Sequence, residues 1–295
     1  MANRFVAALA RRVLVCDGAM GTMLQGSGLL ERMVPEELNV AAPGAVQGVH
    51  RAYVAAGADM VETNSFGGSR LKLAGAGLAG RAHELNVAAA RLARAGGGEQ
   101  VIVAGSIGPL GKFVAPLGEV PYAEAVDVFR EQAAALAEGG ADVIMIETMY
   151  DLAEVKAAIE GARAACALPI ICSLTFDTHL HTMMGVSPAQ AAQSLGEWGV
   201  AALGANCGAS PEEMAVIVQQ LRAAAPEARL IAQPNAGKPR LAADDRAQYD
   251  LPPEELARYA RQYLALGAKI IGGCCGTTPA HIRAVAEALR AETGQ

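Results

Sequence analysis

The chain has 295 residues, 52% of them apolar and 18% charged, a balance that excludes disorder and supports a large buried core. Lys and Arg number 24 against 30 Asp and Glu, a net charge of −6 with no block of like charge, which argues against nucleic acid or an anionic membrane as partner. The length suits either two domains of ordinary size or one α/β barrel of roughly 250 residues.

Near the start, the apolar stretch from Phe5 to Ala10 is stopped by Arg11 and Arg12. It is shorter than the ~7–15 residues of an export signal, and later apolar runs fall short of the ~20 residues of a membrane span. A cytoplasmic location is expected. The 6 cysteines, two of them adjacent, read as reduced thiols rather than a disulfide framework.

From there on, short apolar runs alternate with longer segments of helical period. Strands are predicted at 13–16, 59–63, 101–105, 143–147, 170–175, 201–205, 230–233 and 269–272. Their unbroken Val, Ile, Leu and Ala content is that of parallel strands buried on both faces. The first helical stripe is Val46, Val49, Tyr53 and Val54, followed by a helix at 81–95. A second stripe, Val126, Phe129, Ala133 and Leu136, follows Pro121, and further helices are predicted at 151–165, 188–198, 211–224, 254–266 and 279–291. Gly57, Gly140, Gly199 and Gly267 mark the handover from helix to strand, while Gly96 to Gly98 reads as a surface turn. Two strands end in Glu-Thr, at Glu62-Thr63 and Glu147-Thr148.

Eight strands alternating with eight helices predict a single (β/α)8 TIM barrel of the α/β class. The competing doubly wound sheet lacks a G-x-G-x-x-G after its first strand. The long connections at 17–45, 64–80, 106–120 and 234–253 fall at the C-terminal face, where barrel active sites are built.

Cys16, Cys166 and Cys172 lie in or beside apolar runs and read as small core residues. Cys207 instead ends the sixth strand in Gly204-Ala-Asn-Cys-Gly208, and Cys274 and Cys275 end the eighth in Gly272-Gly-Cys-Cys-Gly276. In a barrel these three thiols share one rim. Three readings stay open: a three-thiolate metal site with an open fourth position, three packed core side chains, or a redox pair of neighbours.

The loop Asp17-Gly18-Ala19-Met20-Gly21-Thr22 can offer backbone N–H groups to an anion and a carboxylate to a cation, which suits an amino-acid zwitterion. Glu147 can add a second carboxylate at the same rim. The alternative is that Asp17 caps a turn and Glu147 pairs with a buried base. Pro234-Asn235-Ala236-Gly237 reads as a turn, and His179 and His181 as loop histidines without a role.

Taken in order, Asp17-Gly-Ala-Met-Gly-Thr22, Glu62-Thr-Asn-Ser-Phe66, Gly204-Ala-Asn-Cys207, Pro234-Asn-Ala-Gly237 and Gly272-Gly-Cys-Cys-Gly-Thr-Thr-Pro279 run over nearly the whole chain. The pattern resembles the homocysteine S-methyltransferase family, in particular the homocysteine-binding barrel of cobalamin-dependent methionine synthase. It is also similar to bacterial betaine–homocysteine methyltransferases. The resemblance implies that residues 1–295 form one zinc-dependent barrel that methylates homocysteine to methionine. It implies Cys207, Cys274 and Cys275 as zinc ligands, and Asp17 and Glu147 as the holders of the substrate ammonium. The turn at Gly18, Ala19 and Met20 would bind the substrate carboxylate, with Asn235 a polar neighbour of the metal.

The length leaves no room for the folate, corrinoid and activation domains of the synthases. The expected donor is therefore a methyl-corrinoid, supplied by a separate corrinoid protein or free in solution. Betaine or a sulfonium is the alternative donor. A zinc and amino-acid binding module without turnover, and a phosphate-binding barrel using Gly272 to Gly276, are the competing functions.

Overall fold

A computed structural model describes residues 3–26, 28–31, 33–177, 179–241 and 247–294. Positions 27 and 32, Thr178, and 242–246 of the predicted connection 234–253 lie outside the described residues. The main sheet contains β1 (Leu14–Val15), β2 (Met60–Glu62), β3 (Ile102–Ile107), β4 (Val143–Met149), β5 (Ile170–Leu174), β6 (Ala202–Asn206), β7 (Leu230–Gln233) and β10 (Ala268–Ile271). A two-stranded antiparallel hairpin, β8 (Arg240–Leu241) with β9 (Ala247–Gln248), lies in the connection after β7.

The strand order is β1-β10-β7-β6-β5-β4-β3-β2. The remaining seam, between β1 and β2, is bridged at Cys16 and Met60. Hydrogen bonds from Asp59 N to Val15 O at 2.8 Å and from Asp17 N to Met60 O at 3.0 Å stitch it. The sheet is thus the predicted (β/α)8 barrel.

Its long helices are Pro43–Ala55, Ala82–Gly97, Tyr122–Glu138, Leu152–Ala165, Pro188–Glu197, Pro211–Ala224, Pro253–Ala265 and Pro279–Thr293. Local chemistry sets their starts. Asp151 caps the N–H of Ala153 at 3.0 Å, and Ser187 and Ser210 each form a reciprocal capping box. The four predicted handover glycines, Gly57, Gly140, Gly199 and Gly267, all take positive φ. The predicted turn at Gly96 to Gly98 is different: the helix continues through Gly97 and only Gly98 turns out of it. Among the described residues no helix is long and apolar enough to cross a membrane.

Two apolar layers hold the barrel. The larger lies between strands and helices. The smaller fills the barrel interior with Leu14, Cys16, Met60, Ile102, Ala104, Val143, Met145, Ile171, Ala202, Ile231 and Ile270. Phe5 and Leu9, from the helix Arg4–Leu9, join this inner cluster, so the stretch stopped by Arg11 is a barrel plug.

Strand side chains alternate between faces, so the inward set continues two residues further along each strand. After Met60 comes Glu62; after Ala104, Ser106; after Met145, Glu147. After Ile171 comes Ser173, and after Ile231, Gln233; on β6 the same alternation passes from Ala202 through Gly204 to Asn206. The inside of the barrel therefore changes from apolar to polar toward its C-terminal mouth. β3, β4 and β6 run one or two residues beyond the predicted ends because these polar side chains bond to each other inside the rim.

Candidate active site

Cys207, Cys274 and Cys275 meet at the C-terminal mouth. Their sulfurs lie within 4.8 Å of one another, and Cys207 Sγ is 3.8 Å from Cys275 Sγ. All three are free thiols. Backbone bonds set the meeting: Cys207 N donates to Gln233 O at 3.1 Å, Cys274 N to Pro234 O at 2.8 Å, and Ala236 N to Cys275 O at 2.9 Å. Cys207 itself has φ 58, in the left-handed region that non-glycine residues avoid. That turn ends β6 abruptly beside its neighbours.

The thiols divide a charge unevenly. Hydrogen bonds from Cys207 and Cys274 hold Cys275 down at about 3. Donating to Cys207 and Cys275 pushes Cys274 well up, and burial adds to this. At Cys207 the bond with Cys274 pulls down, but the bond to Cys275, burial and the Cys275 charge outweigh it and leave the thiol at about 11. Three sulfurs this close together are a group that could hold a metal ion.

Near the thiols stand three carboxyl groups, of which Glu62 and Glu147 line the cavity and Asp17 lies behind its wall. Asp17 is 1% exposed and accepts the Glu62 N–H through both oxygens, at 3.2 and 3.1 Å. Glu147 accepts from Ser106 Oγ at 2.5 Å and from Asn206 Nδ2 at 3.1 Å. Glu62 accepts from Gln233 Nε2 at 2.7 Å and lies within 3.6 Å of Cys16 Sγ. Burial, then the charge of Asp17, raises Glu62 to about 8. Burial first, and then the charge of Glu62, pushes Glu147 well up; burial does the same to Asp17. Among the described residues no Lys or Arg is recorded as pairing with these three, and burial favours their protonated forms.

The cavity between the two groups has a volume of about 440 Å³. Gly18, Ala19, Met20, Glu62, Glu147 and the three cysteines line it. The turn after Asp17 is tight: a Cβ on Gly18 would fall 2.5 Å from Thr277 Oγ1. Tyr53 holds it from below, its hydroxyl 3.1 Å from Ala19 O and 3.0 Å from Thr277 O. Ala19 N already donates to Thr277 Oγ1 at 3.2 Å, which leaves Gly18 and Met20 as the turn's N–H groups for an anion.

A family model described as homocysteine S-methyltransferase matches residues 14–289. The chain belongs to that family. Methionine synthase of Mycobacterium tuberculosis is 38% identical over 302 residues, covering 95% of this chain and 25% of that protein. Methionine synthase of Mycobacterium leprae is 37% identical, covering 95% and 24%. The chain thus spans about a quarter of the length of these relatives. The metallated form of the homocysteine methyltransferase MmuM from Escherichia coli superposes with TM-score 0.81 at 28% identity, covering 97% of this chain and 99% of that one. A methyltransferase from Methanosarcina mazei, 15% identical with TM-score 0.61, shares the fold.

Within this homocysteine S-methyltransferase family barrel, Glu147 and the three cysteines line one cavity, whereas Asp17 is buried off its wall and reaches the site only through its bonds to Glu62 N. Asn235 is buried at 3% exposure, off the cavity wall, with Oδ1 bonded to no protein group. His179 and His181 are exposed and lie outside the cavity. Glu62 and Asn206 were missed. The repeated Glu-Thr strand ending was the signal for Glu62, since it equates Glu62 with Glu147.

Proposed function

We propose that this barrel transfers a methyl group to the sulfur of homocysteine, giving methionine, with zinc held by Cys207, Cys274 and Cys275. The observation that carries the reading is one cavity lined by three clustered thiols and by the carboxyls of Glu62 and Glu147, with Asp17 buried directly behind Glu62. Family membership sets the reaction class.

The donor set fits zinc. A tetrahedral Zn²⁺ with bonds of ~2.3 Å to sulfur needs sulfurs ~3.8 Å apart, and Cys207 and Cys275 stand 3.8 Å apart. Three protein ligands leave the fourth position for a substrate thiol. Bound there, zinc supplies a means to ionise that thiol at neutral pH and to keep its sulfur in place.

The chain's own residues do the rest. Asp17 and Glu147, joined by Glu62, hold the ammonium group, which takes the place of the proton these buried carboxyls otherwise share. The N–H groups of Gly18 and Met20 face the carboxylate. Tyr53 and Thr277 fix that turn, so the amino-acid end is held before the methyl donor arrives. The donor in this reading is a methyl-corrinoid, delivered by a separate protein or free in solution, with betaine or a sulfonium as the alternative. The test is to supply each donor separately to the zinc-loaded protein with homocysteine and measure methionine. Tight homocysteine binding with no methionine from any donor would mark a binding module instead.

A further inference from the structure

Asn206 is the last residue of β6, directly before the left-handed Cys207, and only 1% of it is exposed. Its side chain makes an unusual number of contacts. Oδ1 accepts the backbone N–H of Thr148 at 2.9 Å and the hydroxyl of Ser173 at 2.7 Å. Because a backbone N–H can only donate, this fixes which end of the amide is oxygen. Nδ2 therefore faces the other way, toward Thr148 Oγ1 at 2.7 Å, Glu147 Oε2 at 3.1 Å and Cys274 Sγ at 3.8 Å.

The Thr148 contact has a structural cause. Thr148 has φ 57, and the β4–β5 register shifts between Ile146 and Met149. At such an irregularity one strand residue loses its regular ladder partner. The Thr148 N–H finds Oδ1 of Asn206 instead, and the kink it closes lies immediately after Glu147. The same amide thus anchors the backbone beside Glu147, donates to the Glu147 carboxylate and reaches the sulfur of Cys274. Two hydrogens on Nδ2 face three acceptors, drawn from both halves of the cavity.

We infer that Asn206 is a positioning residue that ties Glu147 to Cys274, so that the ammonium and the sulfur of one substrate are held at a single fixed separation. This rests on the homocysteine reading above. Truncating Asn206 leaves the thiols and carboxyls present but no longer linked. Recognition of the ammonium should then suffer more than recognition of the thiol.

The experiment compares two ligands on the zinc-loaded full chain by calorimetry: homocysteine, and γ-mercaptobutyrate, which keeps the thiol and carboxylate but has no ammonium. Asn206→Ser removes the amide, and Asn206→Leu keeps much of its bulk without adding charge while removing both donated hydrogens. In each folded variant, the preference for homocysteine over γ-mercaptobutyrate is expected to drop about tenfold or more, the scale of a hydrogen bond to a charged group. Zinc content should stay at that of the wild type. Either variant decides the matter if the other fails to fold. An unchanged preference, or equal weakening of both ligands, overturns the inference. A wild-type protein that binds neither ligand overturns the functional reading itself, and a wild-type protein that binds both equally removes the ammonium subsite on which Asn206 would act.

Discussion

Gln233 on β7 donates to Glu62 on β2 at 2.7 Å, a contact between residues 171 positions apart that spans the mouth of the barrel. It keeps Glu62 pointing inward beside Asp17 and Glu147, where burial and the Asp17 charge make it hold its proton to about pH 8. Three carboxyls packed this closely cannot all ionise cheaply without a cation.

The first prediction concerns stability against pH. The folded state binds the Glu62 proton more tightly than the unfolded chain, raising it from 4.5 to about 8. The stability this contributes is fully present below the unfolded value and is lost as pH rises through the folded one. The ligand-free protein should therefore show a falling Tm across that window. Glu62→Gln, which carries no charge at any pH, should flatten the slope and gain a few degrees near the alkaline end. Calorimetric melts of both proteins at matched metal content measure this. Parallel slopes would remove Glu62 from the account.

A second expectation follows for ligand binding. Homocysteine arrives with a mostly protonated thiol, and thiolate coordination releases about one proton near pH 7. Its ammonium also favours loss of the proton that burial keeps on Glu62 up to about pH 8. The total should exceed one proton and approach about two, falling to about one in Glu62→Gln. Titrations in buffers of different ionisation enthalpy give the count. A wild-type value at or below one would show that the carboxyl proton stays put.

The barrel was legible in the chain because parallel strands buried on both faces leave unbroken apolar runs, and glycines mark the helix ends. The thiols were legible because Cys207, Cys274 and Cys275 sit among glycines at strand ends instead of within apolar runs. Glu62 was legible only through the Glu-Thr ending it shares with Glu147; its tie to Gln233 was not, since that depends on which strand faces β2 across the barrel, and no local pattern encodes that. Asn206 was hidden for the same reason: its partners lie on β4, β5 and the loop after β10. The plug helix Arg4–Leu9 was read only as a failed export signal, because six residues carry too little periodicity.

Metal binding can be tested residue by residue. Cys207→Ala, Cys274→Ala and Cys275→Ala should each weaken zinc by about tenfold or more, as two thiolates leave the ion under-coordinated. Cys172→Ala, in the apolar layer behind β5, should keep its zinc and lose only packing stability. Metal analysis after dialysis against a weak chelator separates the two behaviours. Full occupancy in the three rim variants would refute the assignment.

The last prediction is the methyl donor. Selecting a quaternary ammonium takes a cage of aromatic faces around the cation. The loops at the mouth offer Phe66, Phe113, Phe176 and Tyr249, and the structure separates these four. Phe176 is 1% exposed in the core. Phe113 leans edge-on against Tyr150, centroids 6.0 Å apart, and is not on the cavity wall. Only Phe66 and Tyr249 line the cavity, and Phe66 already faces Lys72, whose ammonium sits 4.7 Å from the ring centre. A lysine there repels a second cation instead of helping to cage it. Two rings, one of them occupied, fall short of a betaine cage. Methylcobalamin should therefore support methionine formation well above betaine, dimethylsulfonioacetate or S-methylmethionine. Phe113→Ala should leave that ranking unchanged, and Phe176→Ala should cost stability, about 3–5 kcal/mol for a buried ring, without altering donor choice. Strong turnover with betaine that Tyr249→Ala or Phe66→Ala abolishes would reverse the donor assignment and leave the thiol chemistry as it stands.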